Sequence, residues 1–272
     1  MSESKMTLAE AKALVDTVPT WYHNMELMPG LRSPGGWDVG QTVDLLPWPD
    51  LRGKRCLDIG TFDGFLAFEM ERRGASEVIA TDIPDHHSWD WPPLEREAGI
   101  AAMDATMAEK GKGFAVAKQI LGSKAERKVI SIYDLSPETV GEFDMVVCGD
   151  LLLHLRDPLR ALDAVRSVTR GHFMSCELLD APLTLMHPRY PAATVYLAHG
   201  PRQWSVPNAA AHRRQLIGSG FGIEKAVRYS VPTQNVSTRP RGLRGWPRYA
   251  ANYLVSKGPG TPHQALLARP LV

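Results

Sequence analysis

This 272-residue chain has little that suits oxidation, a bilayer or a polyanion. Its three cysteines, Cys56, Cys148 and Cys176, are too few for a disulfide framework, and their spacing suits no zinc site. Each falls in an apolar stretch that reads as a strand, so buried thiols in a reducing, cytoplasmic compartment are expected. Apolar runs last only a few residues, too short to span a bilayer. The opening MSESKMTLAEAKALVDTV carries acids where a secretory leader needs a basic and then an apolar region. No repeat and no low-complexity segment is present. Formal net charge is only +1, with 44% apolar and 22% charged residues. That is ordinary globular composition, at a length for one large domain or two small ones.

Acidic residues are absent only from the C-terminal part. Residues 225–272 hold eight Lys/Arg and no Asp or Glu, whereas residues 1–224 hold 23 basic and 30 acidic groups. Arg228, Arg239, Arg241, Arg244 and Arg248 can attract phosphates or acidic substrates, or fold back onto acids of the main body. The mildly acidic remainder argues against a broad nucleic-acid groove.

Periodicity predicts a helix within residues 1–18, with Leu8, Ala11, Leu14 and Val15 on one face. It predicts a loop over 28–36 and a short helix over 38–46. Strands are expected at Arg55–Ile59, Val78–Thr81, Val129–Ile132, Phe143–Cys148, His172–Cys176, Ile223–Tyr229 and Ala250–Ser256. Helices are expected at Phe65–Arg73, Pro158–Val168 and over 207–218. Such alternation argues for an α/β fold, a mostly parallel sheet with helices on both faces. Ligands of such sheets bind beyond the carboxyl ends of the strands. The expected layout is an N-terminal helical cap (1–48), a main domain (49–258) with insertions at 84–123 and 181–206, and a tail (259–272). The insertions have the length of lids or binding loops.

The most informative stretch is CLDIGTFDGF, Cys56 to Phe65. A strand enters a turn at Gly60 and Gly64 and a helix follows, as in nucleotide-binding loops. Asp82 lies 24 residues after Asp58, at the end of the second strand, where an acid can accept both ribose hydroxyls. The loop lacks the middle glycine of a dinucleotide fingerprint and places Asp63 where a pyrophosphate would sit. A carboxylate repels phosphate but tolerates the ammonium and sulfonium of S-adenosylmethionine. Asp134, after the third strand, can accept an adenine amino group. Thr61, Ile83, Leu135 and Gly149 complete the expected cofactor set.

On CLDIGTFDGF, the GAS at 74–76, FDMVVCGDLLLHLRDPLRAL at 143–162, Trp37, Trp204 and Gly220–Phe221, the chain resembles the class I methyltransferases over about residues 37–257. More narrowly, it resembles the tRNA wobble-uridine carboxymethyl-type family, and certain actinobacterial saccharide O-methyltransferases of the methylmannose polysaccharide type. The resemblance implies a Rossmann-like seven-stranded sheet whose last strand is antiparallel, with Trp37, Gly60, Asp82 and Gly149 around the cofactor. Two departures point away from a carboxylated cofactor and from tRNA. The residue before the motif histidine is Leu153 rather than tyrosine, and WYHNMEL lacks the Lys/Arg that would meet an extra carboxylate. Ordinary S-adenosylmethionine and a small acceptor are therefore expected, with RNA as the alternative partner. A homodimer is compatible with all of this.

A sugar hydroxyl is a poor nucleophile at neutral pH, so a base is expected. His154, after the fourth strand, is that base or else a packing histidine. Asp150, Glu177 and Asp180 could hold Mg²⁺, or Asp150 could orient His154 or touch substrate. His86 and His87 read as base, ligands or solvated loop residues. Arg189, Tyr190, Tyr196 and Trp204 on the second insertion, with Arg241, form the expected acceptor-binding set. Rings in such a loop also serve simply to pin it down.

Overall fold

The computed structural model describes residues 6–105, 109–196, 203–233 and 242–271. Seven strands form one sheet: β1 (Arg55–Ile59), β2 (Glu77–Asp82), β3 (Glu126–Val129), β4 (Phe143–Gly149), β5 (Thr169–Leu178), β6 (Phe221–Val231) and β7 (Thr261–Pro270). Their spatial order is β6-β7-β5-β4-β1-β2-β3. Neighbours from β5 to β3 run parallel, while β7 runs antiparallel to both β5 and β6. This is the expected Rossmann-like architecture with its antiparallel last strand.

Strand alternation builds two cores, one on each face of the sheet. Met145 and Val147 of β4 face one side with Cys56, Met174 and Leu267. Val146 and Cys148 face the other with Leu57, Phe173 and Leu266. The first face is covered by α1 (Leu8–Asp16), α2 (Phe65–Arg72) and α4 (Lys112–Leu121), which contribute Ala11, Ala67 and Ala117. The second is covered by α6 (Pro158–Val168) and α8 (Ala209–Gly218), through Leu162 and Leu216. Helices α3 (Arg96–Asp104), α5 (Pro137–Val140), α7 (Ala181–Met186) and α9 (Trp246–Ser256) are the other α-helices among the described residues.

Several expectations shift. The strand expected at Ala250–Ser256 is part of α9, whose Ala251 and Val255, one turn apart, pack with Ala181 of α7. The last strand lies at Thr261–Pro270, inside the stretch read as a tail, and all seven residues from Pro262 to Ala268 are buried. The third strand precedes its expected position: it ends at Val129, and Ile132–Asp134 form a 3₁₀ turn capped by Ser131. In α1, Ala11 and Val15 are buried, but Leu8 is exposed. The helix expected over 38–46 is two 3₁₀ turns, Val39–Gln41 and Val43–Leu45. Among the described residues no helix is long and apolar enough to cross a membrane.

Candidate functional site

Sheet order reverses between β1 and β4, which opens a crevice beyond their carboxyl ends. A cavity of about 500 Å³ fills it. Its floor is the glycine loop. Gly60 has φ +72°, and a Cβ there would meet Leu151 at 2.9 Å. The amides of Gly60 and Thr61 both donate to Thr81 O, at 2.9 and 3.1 Å, folding the loop across β2. Gly64 (φ +93°) begins α2, and a Cβ there would lie 2.4 Å from Phe68 and 2.7 Å from Phe114. Only glycine combines this backbone with such close ring packing. Gly64 therefore shapes the loop without lining the cavity.

Two carboxylates flank the loop. Asp58, at the end of β1, is 2% exposed and lines the cavity, and its Oδ2 has no hydrogen-bond partner, nor has Thr61 Oγ1. Burial pushes the Asp58 carboxyl up to about 6, against the opposing pull of the neighbouring Thr61 side chain and, after it, of His23. Asp82 ends β2 and is already engaged. Its Oδ2 accepts from Phe62 N at 3.1 Å, and its Oδ1 from Ile83 N at 2.8 Å and Lys110 Nζ at 2.7 Å. Lys110, a cavity-lining cation that sequence reasoning missed, is buried with it. It lies 28 residues away, in an insertion without regular spacing.

Asp63 does not face the main cavity. Its Oδ2 accepts from the backbone amides of Tyr22 and His23, each at 2.9 Å, and its Oδ1 meets His23 Nδ1. It thus ties the N-terminal segment over the site. That segment adds Tyr22, His23 and Trp37 to the lining. Tyr22 stacks on Trp37 with ring centroids 5.9 Å apart. The WYHN stretch was the available signal for Tyr22 and His23, but its aromatic content points equally to packing.

At the opposite wall, Gly149 leads into Asp150, held at φ +48°. Asp150 Oδ1 accepts from Leu178 N at 2.9 Å, and Oδ2 meets His263 Nε2 at 2.8 Å. The other ring nitrogen of His263 faces Thr261 O at 2.9 Å. A carbonyl can only accept, so both nitrogens of His263 face acceptors. Burial opposes charge on this histidine, but Asp150 outweighs it and raises the ring's pKa. Burial likewise works against the Asp150 carboxylate, and His263 holds it below its usual range. His154, on the 3₁₀ turn Leu152–His154, lines the same cavity as Asp150.

Asp150, Glu177 and Asp180 do not assemble a cation site. Both oxygens of Asp150 are taken. Glu177 Oε1 accepts from Leu152 N at 3.2 Å; its Oε2 is unpartnered, and burial, reinforced by Asp150, drives its carboxyl far up, toward the neutral acid. Asp180 caps α7 through Leu183 N and accepts from Thr194 Oγ1 at 2.8 Å. Asp150 and Glu177 instead cross-link the ends of β4 and β5 through Leu178 N and Leu152 N, and Asp180 is committed to the first turn of α7.

Asp134 is exposed on the far side of its turn, and Leu135 belongs to the core, so neither lines the cavity; Ser131, Ile132 and Tyr133 do. The described residues of the second insertion also stay outside. Tyr190 is exposed, Arg189 lines a separate surface groove, and Tyr196 pairs with Trp204 by backbone. The Trp204 indole donates to Asp90 O at 2.6 Å, pinning the loop to the first insertion. Arg241 lies outside the described residues. In place of this set, Trp89, Asp90 and Trp91 of the first insertion line the cavity.

A family model described as a methyltransferase domain matches residues 38–225. A ubiquinone biosynthesis O-methyltransferase of Neisseria meningitidis serogroup C (strain 053442) is 30% identical over 192 residues, 68% of this chain and 71% of that protein. One of the same name from Xanthomonas euvesicatoria pv. vesicatoria (strain 85-10) is 29% identical over 121 residues, 44% of this chain and 41% of that protein. Among solved structures, the N-terminal domain of EvdMO1 with SAH bound is similar at TM-score 0.52 and 14% identity, covering 97% of this chain and 98% of that one.

Proposed function

This chain belongs to the methyltransferase-domain family and is an S-adenosylmethionine-dependent methyltransferase; from that premise we propose that it methylates a hydroxyl of a small metabolite, in the first instance a saccharide. One observation carries the reading. The acids at the ends of β1 and β2 share a single cavity with Asp150 and His154 at the end of β4.

The chain's own residues fit the cofactor. The unpartnered Oδ2 of Asp58 and Oγ1 of Thr61 suit the ammonium and carboxylate of an amino-acid moiety, and Asp82 retains lone pairs for ribose hydroxyls. Ile83, Ile132 and Tyr133 offer faces for a base. The cofactor supplies an activated methyl group on a sulfonium. The protein's work is then positioning and proton removal. Gly60 and Gly149 allow close approach, Tyr22 and Trp37 cover the site from water, and His154 accepts the proton of the acceptor hydroxyl. Asp150, fixed by His263, provides negative charge at the same wall. Tyr22, Trp37, Trp89 and Trp91 give rings for the CH faces of a sugar, and Asp90 and Ser131 give polar partners. The three free, buried cysteines support a reducing, cytoplasmic setting.

The test is to incubate the protein with methyl-labelled S-adenosylmethionine and fractionated host metabolites and RNA. Label in a hydroxylated small-molecule fraction is expected. Label in RNA alone would replace this reading with the tRNA-type one.

A further inference from the structure

We propose that His86, His87 and Asp104 form a site for one divalent transition metal of the zinc class, and that the bound ion clasps the start of the first insertion to the end of α3 at the mouth of the cavity. The three residues offer one ligand atom each, all within 4.8 Å of one another. Nε2 of His86 lies 2.7 Å, and Nε2 of His87 3.1 Å, from the same oxygen, Asp104 Oδ1. Two imidazole nitrogens and a carboxylate oxygen are the donor set that zinc-class ions prefer over Mg²⁺ or Ca²⁺. Donors around a tetrahedral zinc ion stand about 3.3 Å apart, so side-chain shifts of under about 1 Å open the two histidine–carboxylate contacts to that spacing. Each imidazole then carries its proton on Nδ1 and turns the Nε2 lone pair to the ion.

Local structure explains the convergence. Adjacent histidines diverge on a strand, but here a 3₁₀ turn, His86–Ser88, sets their rings 4.7 Å apart. The turn is fixed from behind, where the Trp91 indole donates to His86 O at 2.7 Å. Gly99 of α3 lets that helix approach Trp91 so closely that a Cβ would lie 2.3 Å from the ring. This brings Asp104, the last residue of α3, to the histidines. His86 is nearly buried, while the side chains of His87 and Asp104 are about half exposed, which leaves a path for the ion and an open coordination position. Ser88 and Trp89 follow directly after His87, Met103 directly precedes Asp104, and all three line the cavity. An ion at the triad therefore ties together both segments of the insertion that border the acceptor space.

The experiment uses full-length, tag-free protein stripped with a chelator and titrated with Co²⁺ and then Zn²⁺. A saturable one-to-one cobalt absorption band, displaced by Zn²⁺, is expected. His87→Ala and Asp104→Ala, both at exposed positions, should weaken binding roughly tenfold or more while leaving the circular dichroism spectrum unchanged. Zn²⁺ should slow hydrogen exchange over residues 86–104 in the parent protein only. Absence of a saturable band, or parental affinity in both variants, overturns the site. Binding without added protection over 86–104 overturns the clasp.

Discussion

Nε2 of His263 lies 2.8 Å from Oδ2 of Asp150, a contact between residues 113 positions apart. It reaches from β7 across β5 to the loop leaving β4, and holds Asp150 in a left-handed conformation that few non-glycine residues adopt. The pair joins the end of the chain to the wall of the methyl-transfer cavity.

Removing His263 leaves a mostly buried carboxylate without its partner, a loss of about 3 kcal/mol. The pH dependence follows from the directions of shift. The raised His263 contributes stability that is complete below its ordinary value of 6.5 and drains as pH climbs through its folded value. The lowered Asp150 contributes stability that is complete above 3.8 and drains as pH falls below it. His263→Gln should therefore lower Tm most in mildly acid solution, with the gap from the parent protein narrowing toward alkaline pH. Thermal denaturation across that range measures it, and a constant gap contradicts the pairing.

Asp58 behaves in the opposite sense to an ordinary carboxylate. Its folded value near 6 lies above its usual 3.8, so its contribution to stability is complete below 3.8 and is lost as pH rises through 6. A ligand ammonium at Oδ2 reverses this by favouring the charged form. Cofactor binding near pH 6 should release a proton, and affinity should fall as the solution is acidified. Calorimetry in buffers of different ionisation enthalpy reads the proton directly. Asp58→Asn should bind more weakly, with no proton released.

Asp82→Asn is expected to weaken cofactor binding roughly tenfold to a hundredfold, since hydrogen bonds to a charged group contribute about 1.5–3 kcal/mol. The asparagine keeps a single acceptor oxygen, which can serve Phe62 N or the Ile83 N and Lys110 Nζ pair but not both, so a circular dichroism spectrum of the variant separates lost binding from lost fold. Unchanged affinity by calorimetry would remove Asp82 from the ribose subsite.

His154→Ala should lower kcat by about 10²–10⁴-fold, the range of a positioned base, with cofactor affinity unchanged. Steady-state kinetics together with a binding isotherm separate the two quantities. Full turnover would assign the proton to another group.

Strand ends whose neighbours are buried were legible because an apolar run and a glycine turn are local signals. Arg55–Ile59 and the loop to Gly64 stand where the residue pattern put them. The final strand was not legible. TPHQALLARP has weak β-propensity, and its strand character comes from being enclosed between β5 and β6. Helix α9 was read as a strand because ANYLVS is apolar enough to suit either element. Its partner, α7, lies in another part of the sequence.

The site divides along the same line. Asp58, Gly60, Asp82 and Gly149 sit at strand ends and His154 on the turn after one, so strand positions alone brought them to one cavity. Lys110 and Tyr22 reach it through an insertion and a capping segment, and His263 acts on it through Asp150 from a distant antiparallel strand. Residue order thus determined the parallel strands around the switch point and the acids at their ends, because those depend on periodicity and turn chemistry over a few residues. Only the tertiary structure decided that Asp63 tethers the cap, that Trp204 pins a loop instead of meeting an acceptor, and that Asp150 pairs with His263. Those outcomes depend on which buried polar group finds its partner across long separations, and no local pattern carries that information.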